Sequence, residues 1–215
     1  MLKKLAAWVA IGAAALIPLT ALAQAQLAKG RDYAVIEPSL PTDTPEKIEV
    51  TEFFSYACPH CSDLNPLIHD WAAKQPADVV FKRVAIPGST FYTLMSRLYY
   101  ALETTGDLAR LDSSVFNALH GKGLKLIDAK SITDWVVSQG VDAQKFTTAF
   151  NSFTVDHEIK RSAQLAQQAR IQGVPALVVD GRFTVVGQNV KSFKELLALT
   201  DKVIEMRRKE RAQKK

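Results

Sequence analysis

The chain has 215 residues, 47% of them hydrophobic, with 27 basic against 22 acidic side chains and a formal charge of +5. That length is enough for one core with an elaboration, or for two small domains. The basic excess is too small to argue for a nucleic-acid partner.

The first elements are read from the N-terminus. Met1-Leu2-Lys3-Lys4 is a short basic start, Leu5 to Leu22 is apolar or small apart from Thr20, and Ala21-Leu22-Ala23 is a small-x-small cleavage pattern. The arrangement predicts an export signal over 1–23, with Ala23-Gln24-Ala25 as a second cleavage option. An uncleaved anchor is the alternative, and Gly12, Pro18 and the cleavage pattern speak against it. No later stretch is apolar enough to cross a membrane. Loss of Lys3 and Lys4 with the signal leaves +3 on the remaining chain.

Beyond Gln24 the expected order is as follows. Asp32 to Ile36 is a short strand, and Pro38, Pro41 and Pro45 mark an extended connection. Ile48 to Tyr56 is a strong strand. A helix follows Cys61, with Leu64, Leu67, Ile68 and Trp71 on one stripe, a kink at Pro66 and an end at Gln75-Pro76. Val79 to Ile86 is the next strand. From Pro87-Gly88 to Arg170 the texture is helical: Phe91 to Thr104, Asp107 to His120, a helix capped by Ser131, a short helix from Asp142 and a long one over Val155 to Gln172. Ala176 to Val179 and Arg182 to Gly187 flank an Asp180-Gly181 hairpin turn. Ser192 to Arg208 closes the chain as a helix. Its basic end, Arg207 to Lys215, reads as the solvated, fraying end of a terminal helix, where cations suit the helix dipole. An exported chain has little access to nucleic acid, so that partner is discarded.

This order is an α/β core interrupted by helices. The expected units are a signal over 1–23, an α/β unit formed by 24–88 and 171–215, and a helical insertion over 89–170.

The only two cysteines stand at Cys58-Pro59-His60-Cys61, between the strand ending at Tyr56 and the helix that follows. A Cys-x-x-Cys at a strand-to-helix junction is the thioredoxin-like redox arrangement. A structural disulfide is the bland alternative. A loop closed by two residues restricts the unfolded chain little, so the pair suits a reversible bond better than a staple. Cys58, at the helix start, meets unpaired N–H groups and the positive end of the helix dipole. It is the expected nucleophile. Cys61, a turn further in, is the expected resolving thiol. Pro59 sits where a missing N–H costs little, and His60 adds a donor or a positive charge. The thiolate exists only in the reduced form, so stabilising it makes the protein an oxidant of its partner. Each pKa unit below ambient pH is about 1.4 kcal/mol, or roughly 30 mV for a two-electron couple.

Three further positions stand out. Glu52 shares a strand face with Ile48, Val50, Phe54 and Tyr56. It either reaches water at a bulge or edge, or handles protons beneath the disulfide. Lys82 alternates with Val80, Val84 and Ile86 as a second charge on an apolar face, and would meet Glu52 if the strands are neighbours. Arg83, on the other face, is its rival. Pro175, in Gly173-Val174-Pro175 before a buried strand, is a candidate for a cis bond that turns the Val174 backbone toward the disulfide. A substrate strand would pair there. His69, His120 and His157 are read as ordinary helix or loop residues.

Together, Glu52 to Cys61, the helical insertion and Gly173-Val174-Pro175 resemble the DsbA family of periplasmic thiol:disulfide oxidases over nearly the whole mature chain. The resemblance implies a thioredoxin-like fold with an inserted all-helical domain, and a periplasmic monomer without a cofactor beyond its own disulfide. It implies donation of that disulfide to reduced exported proteins and reoxidation by a DsbB-type quinone-linked membrane partner. By the same likeness Cys58 is the nucleophile, Cys61 the resolving thiol, His60 the pKa-lowering histidine and Pro175 the cis-proline after Val174. Glu52 is the buried acid and Lys82 its basic partner. A low-pKa nucleophile and an oxidising couple already belong to that family, so the direction of exchange is not an independent finding. Two departures are visible. No cysteines remain for the second disulfide of some members, and Asn65 stands where some carry an acid. A disulfide isomerase would need a separate dimerising N-terminal domain, for which Gln24 to Lys47 is too short. A reductase is disfavoured by the Pro-His pair. A metal carrier using Cys58, Cys61 and His60 lacks a fourth ligand.

Overall fold

The computed structural model describes residues 26–213. The signal expected over 1–23 and both cleavage options lie outside them.

Five strands form one mixed sheet in the order β1-β5-β4-β2-β3. They are β1 (Tyr33–Val35), β2 (Ile48–Phe54), β3 (Val79–Ala85), β4 (Ala176–Val179) and β5 (Phe183–Val185). Only β2 and β3 are parallel, joined by α1 (Pro59–Ala72); the remaining pairs are antiparallel. Between β3 and β4 run α2 (Thr90–Thr105), α3 (Leu108–Phe116), a π-helical turn (Asn117–Gly121), α4 (Ala129–Ser138), α5 (Ala143–Phe150) and α6 (Phe153–Gln168). The chain closes with α7 (Phe193–Gln213). This is the α/β core with a helical insertion that the element order implied, and the thioredoxin-like fold that the resemblance implied.

The cores follow from side-chain period. On β2, Ile48 and Val50 pack with Leu64, Ile68 and Trp71 of α1 and with Leu197, Val203 and Ile204 of α7. Phe53 points to the opposite face, against Ile36, Leu40, Val178 and Ala169. Phe54 reaches a third cluster built from the inserted helices, with Met95, Leu98, Tyr99, Leu111 and Phe116. Cys58 and Cys61 belong to that third cluster. The cysteine pair therefore sits where the sheet lobe meets the helical lobe.

Turn and cap chemistry fix the ends. Asp180 and Gly181 both have positive φ (56° and 60°), at the centre of a turn closed by the Arg182 N–H donating to the Val179 carbonyl oxygen at 3.0 Å. A Cβ on Gly181 would come within 2.4 Å of the Leu40 carbonyl oxygen, so the close approach also selects glycine. The helix expected to start at Ser131 is capped instead by Asp128. Its side chain accepts from Ser131 N at 2.7 Å, while Ser131 Oγ accepts from Asp128 N at 3.2 Å. Asp128 competes better because it precedes the first helical turn, whereas Ser131 is already inside it.

The basic end of α7 is also different from expectation. Arg207 and Arg211 both pair with the buried Asp180 of the hairpin turn, and Arg208 Nε donates to Asp78 Oδ2 at 2.7 Å. The helix runs to Gln213 because its cations hold acids 27 to 130 residues earlier in the chain.

Candidate redox site

Cys58 caps the N-terminus of α1 with an extended backbone (φ −92°, ψ 118°), and Pro59 opens the helix. Its sulfur lies 3.3 Å from the Val174 carbonyl oxygen, to which the thiol donates. Both cysteines are thiols, Cys58 at 5% exposure and Cys61 fully enclosed. The Cys58 thiol is held down to about 6, chiefly by a hydrogen bond from the Cys61 thiol. Burial opposes this; the backbone N–H groups of Cys61 and His60 and the His60 charge assist. The same hydrogen bond, together with burial and the Glu52 charge, pushes the Cys61 thiol far up. One sulfur is thus prepared as an anion and leaving group, and the other as a protonated thiol. Pro59 and His60 are exposed. The Val174-Pro175 bond is cis, and Pro175 leads directly into β4.

Beneath the pair, Glu52 is fully buried. Lys82 is not its partner. The parallel register sets Glu52 against Arg83 and Thr51 against Lys82, so Lys82 emerges on the opposite face. There Lys82 Nζ reaches Asp43 at 2.7 Å and Glu49 at 3.2 Å. Arg83 Nε donates to Glu52 Oε2 at 2.7 Å, and its guanidinium lies 3.7 Å from the Phe54 ring centroid. Burial pushes the Glu52 carboxyl up, although Arg83 pulls it down.

Tyr56 and Asp112 join the site, and so do His69 and His120, which the sequence suggested were ordinary helix or loop residues. Arg83 Nη1 also donates to Asp112 Oδ2 of α3 at 2.7 Å. Tyr56 Oη donates to Asp112 Oδ1 at 2.7 Å, and His69 Nε2 lies 3.0 Å from Oδ2. Burial pushes the Asp112 carboxyl up, but His69, Arg83 and Tyr56 together hold it below the usual carboxylate range. His120, in the π-helical turn, bonds the Tyr56 carbonyl at 2.7 Å. A signal for Asp112 existed: it lies in phase with the buried Val115 and Phe116, an acid on an apolar stripe just as Glu52 is. His69 likewise follows Cys61 and Asn65 at four-residue steps along α1. Asn65 itself donates to Ser113 Oγ at 3.1 Å.

Beside Pro175 a groove of about 680 Å³ is lined by Leu67, Leu177, Val185, Val190, Phe193 and Leu196. Among the described residues no cluster of three or more His, Cys, Asp or Glu is placed to hold a metal ion, and no helix is long and apolar enough to cross a membrane.

The profile of the DSBA-like thioredoxin domain matches residues 49–198. The chain belongs to the DsbA family. It is 43% identical over 174 residues to the thiol:disulfide interchange protein DsbA of Bordetella parapertussis, covering 80% of this chain and 83% of that one. The DsbA of Azotobacter vinelandii is 32% identical over 187 residues, 87% of each chain. The crystal structure of Pseudomonas aeruginosa DsbA superposes with a TM-score of 0.80 at 33% identity, covering 86% of this chain and 96% of that one. As a member of the DsbA family the chain is a disulfide oxidoreductase.

Proposed function

We propose that this DsbA-family chain is a periplasmic dithiol oxidase, working as a monomer, that donates the Cys58–Cys61 disulfide to reduced exported proteins. A DsbB-type quinone-linked membrane partner then restores the disulfide. The observation that carries the reading is the placement of Cys58 at the N-cap of α1, beside the cis Val174-Pro175 bond and with the Cys61 thiol turned to its sulfur, an arrangement that holds the Cys58 thiol down and pushes the Cys61 thiol up. Reduction of the disulfide yields a stabilised Cys58 thiolate, so electrons flow from the substrate into this protein.

In the forward reaction a substrate thiolate attacks Cys58 and Cys61 departs. A second substrate thiolate then attacks the substrate sulfur of the mixed disulfide, and Cys58 leaves as its anion. His60 and the start of α1 stabilise that anion. Glu52 exchanges the proton that Cys61 gains or loses, and Arg83, rather than Lys82, is the basic side chain that donates to it. A substrate strand aligns on the Val174 backbone beside Pro175, with an apolar side chain in the adjoining groove. Helices within 89–170 form the lobe that covers the buried side of the site.

The redox equilibrium with glutathione tests this. The reduced protein should persist in buffers that keep an ordinary protein disulfide oxidised. An equilibrium far toward the disulfide form would assign the chain to reduction, and no exchange at all would leave only metal carriage or a structural role.

A further inference from the structure

Beneath the cysteines one guanidinium stands between two carboxylates, and the two are not treated alike. Asp112 receives three donors: Arg83 Nη1 and Tyr56 Oη, each at 2.7 Å, and His69 Nε2 at 3.0 Å. An ionised carboxylate only accepts, so His69 Nε2 carries the proton in that contact. Among the described residues Glu52 receives one donor, Arg83 Nε, while its Oε1 has no partner although fully enclosed. Among the described residues Arg83 Nη2 is also without a partner, so Glu52 and Arg83 do not form the two-pronged pair that two opposite charges prefer. Asp112 also borders a cleft of about 440 Å³ with Pro66, His69 and Asp70, whereas Glu52 touches none of the surface. A buried anion without full hydrogen bonding is costly, and a single cation neutralises only one of the two acids.

We propose that Asp112, supplied by the inserted helical lobe, is a positioning residue for disulfide exchange. By taking Arg83 as its own counter-ion it leaves Glu52 holding a proton beneath Cys61. This rests on the exchange reading given above and assigns the control of its proton step. The groups that face the two acids are Tyr56 after β2, Cys61 and His69 on α1, Arg83 on β3, Tyr99 on α2 and Asp112 itself on α3. The β4 residue in register with Glu52 is Leu177, which contributes no charge.

The step balances as follows. A substrate thiolate forms a bond to the Cys58 sulfur, the Cys58–Cys61 bond breaks, and Cys61 leaves with the electron pair. Glu52 gives its proton to that sulfur and becomes a carboxylate. A second substrate thiolate releases Cys58 as an anion. The substrate has then lost two electrons to the cysteine pair, and Glu52 takes its proton back when Cys61 is next deprotonated to re-form the disulfide. Asp112 touches none of the reacting atoms. Its charge decides whether Glu52 has a proton to give.

The test uses the full chain with Asp112→Asn. Oxidised protein is mixed with a reduced single-cysteine peptide, and the rate of mixed-disulfide formation is followed against pH, corrected for ionisation of the peptide thiol. In the unaltered chain the rate falls as pH rises through the Glu52 titration. In Asp112→Asn, Glu52 becomes the counter-ion of Arg83, and the fall should begin roughly 1–3 pH units lower. Asp112→Glu should restore the original profile. In a Glu52→Gln background, Asp112→Asn should produce no further shift. Carboxyl carbon NMR of Glu52 should show the same downward move without reference to activity. Tyr56→Phe, which removes one donor from Asp112 and keeps the ring, should shift Glu52 the same way by less, and it decides the matter if Asp112→Asn does not fold. Profiles and Glu52 titrations that superimpose on those of the unaltered chain, with only the melting temperature lowered, would overturn the proposal. A glutathione equilibrium unlike that of an oxidant would defeat the oxidase reading alone, because the Glu52 titration does not depend on it.

Discussion

Cys58 and Cys61 share one hydrogen bond, yet it moves their thiols in opposite directions. Titration of thiolate absorbance in the reduced protein should show Cys58 ionising with a midpoint of about 6. A midpoint in the ordinary thiol range, about 8.5, would remove the basis for an oxidising couple. Because the Cys61 thiol is the largest stabiliser of the anion, Cys61→Ala should raise that midpoint more than His60→Leu does. Both should raise it, and His60→Leu should also make the protein less oxidising; an unchanged glutathione equilibrium would take His60 out of the chemistry. The cysteine motif and Val174-Pro175 were legible in the sequence because each is local: a few adjacent residues carry the whole signal. The partner of Glu52 was not. Choosing between Lys82 and Arg83 depends on the offset at which β2 and β3 pair, and a one-residue slip exchanges the faces.

At the scale of elements, period and punctuation placed nearly every strand and helix, because apolar residues recur at two or near four and Gly, Pro and Asp mark the breaks. Two ends came out differently, one for a local reason and one for a distant one. Asp128 took the cap expected of Ser131. The basic residues of α7 look idle in sequence, yet they grip Asp180 and Asp78. That grip predicts a stability effect without a redox one. Asp180→Ala leaves two arginines without their shared buried acceptor and should cost about 2–3 kcal/mol in urea unfolding. The glutathione equilibrium should stay where it is. A loss under about 0.5 kcal/mol would return these contacts to the class of weak surface pairs.

Across the whole molecule, oxidation state and fold stability are linked through Cys58. Its thiol is held down to about 6 in the folded reduced protein, below the ordinary thiol value of about 8.5. A depressed folded-state pKa stabilises the fold fully above the unfolded value, and that contribution is lost as pH falls through the folded value. The oxidised protein has no such thiol. The reduced form should therefore outlast the oxidised form in urea at pH 8, and the margin should shrink toward pH 5; a margin independent of pH would point to another source. Greater stability of the reduced form is a property associated with the DsbA family, and the pH window is what the site geometry adds. The strand order carries one more consequence, for the timing of assembly. The cysteines follow β2 at the start of α1, yet one of the two strands flanking β2 is β4, made more than 120 residues later. A chain growing from its N-terminus exposes Cys58 and Cys61 long before Val174, β4 and the clamp of α7 exist. Until the last helix is made, the two thiols belong to an unfinished chain and are open to the same oxidants as any other nascent cysteine. A disulfide oxidoreductase with this strand order must first be folded around its own cysteines.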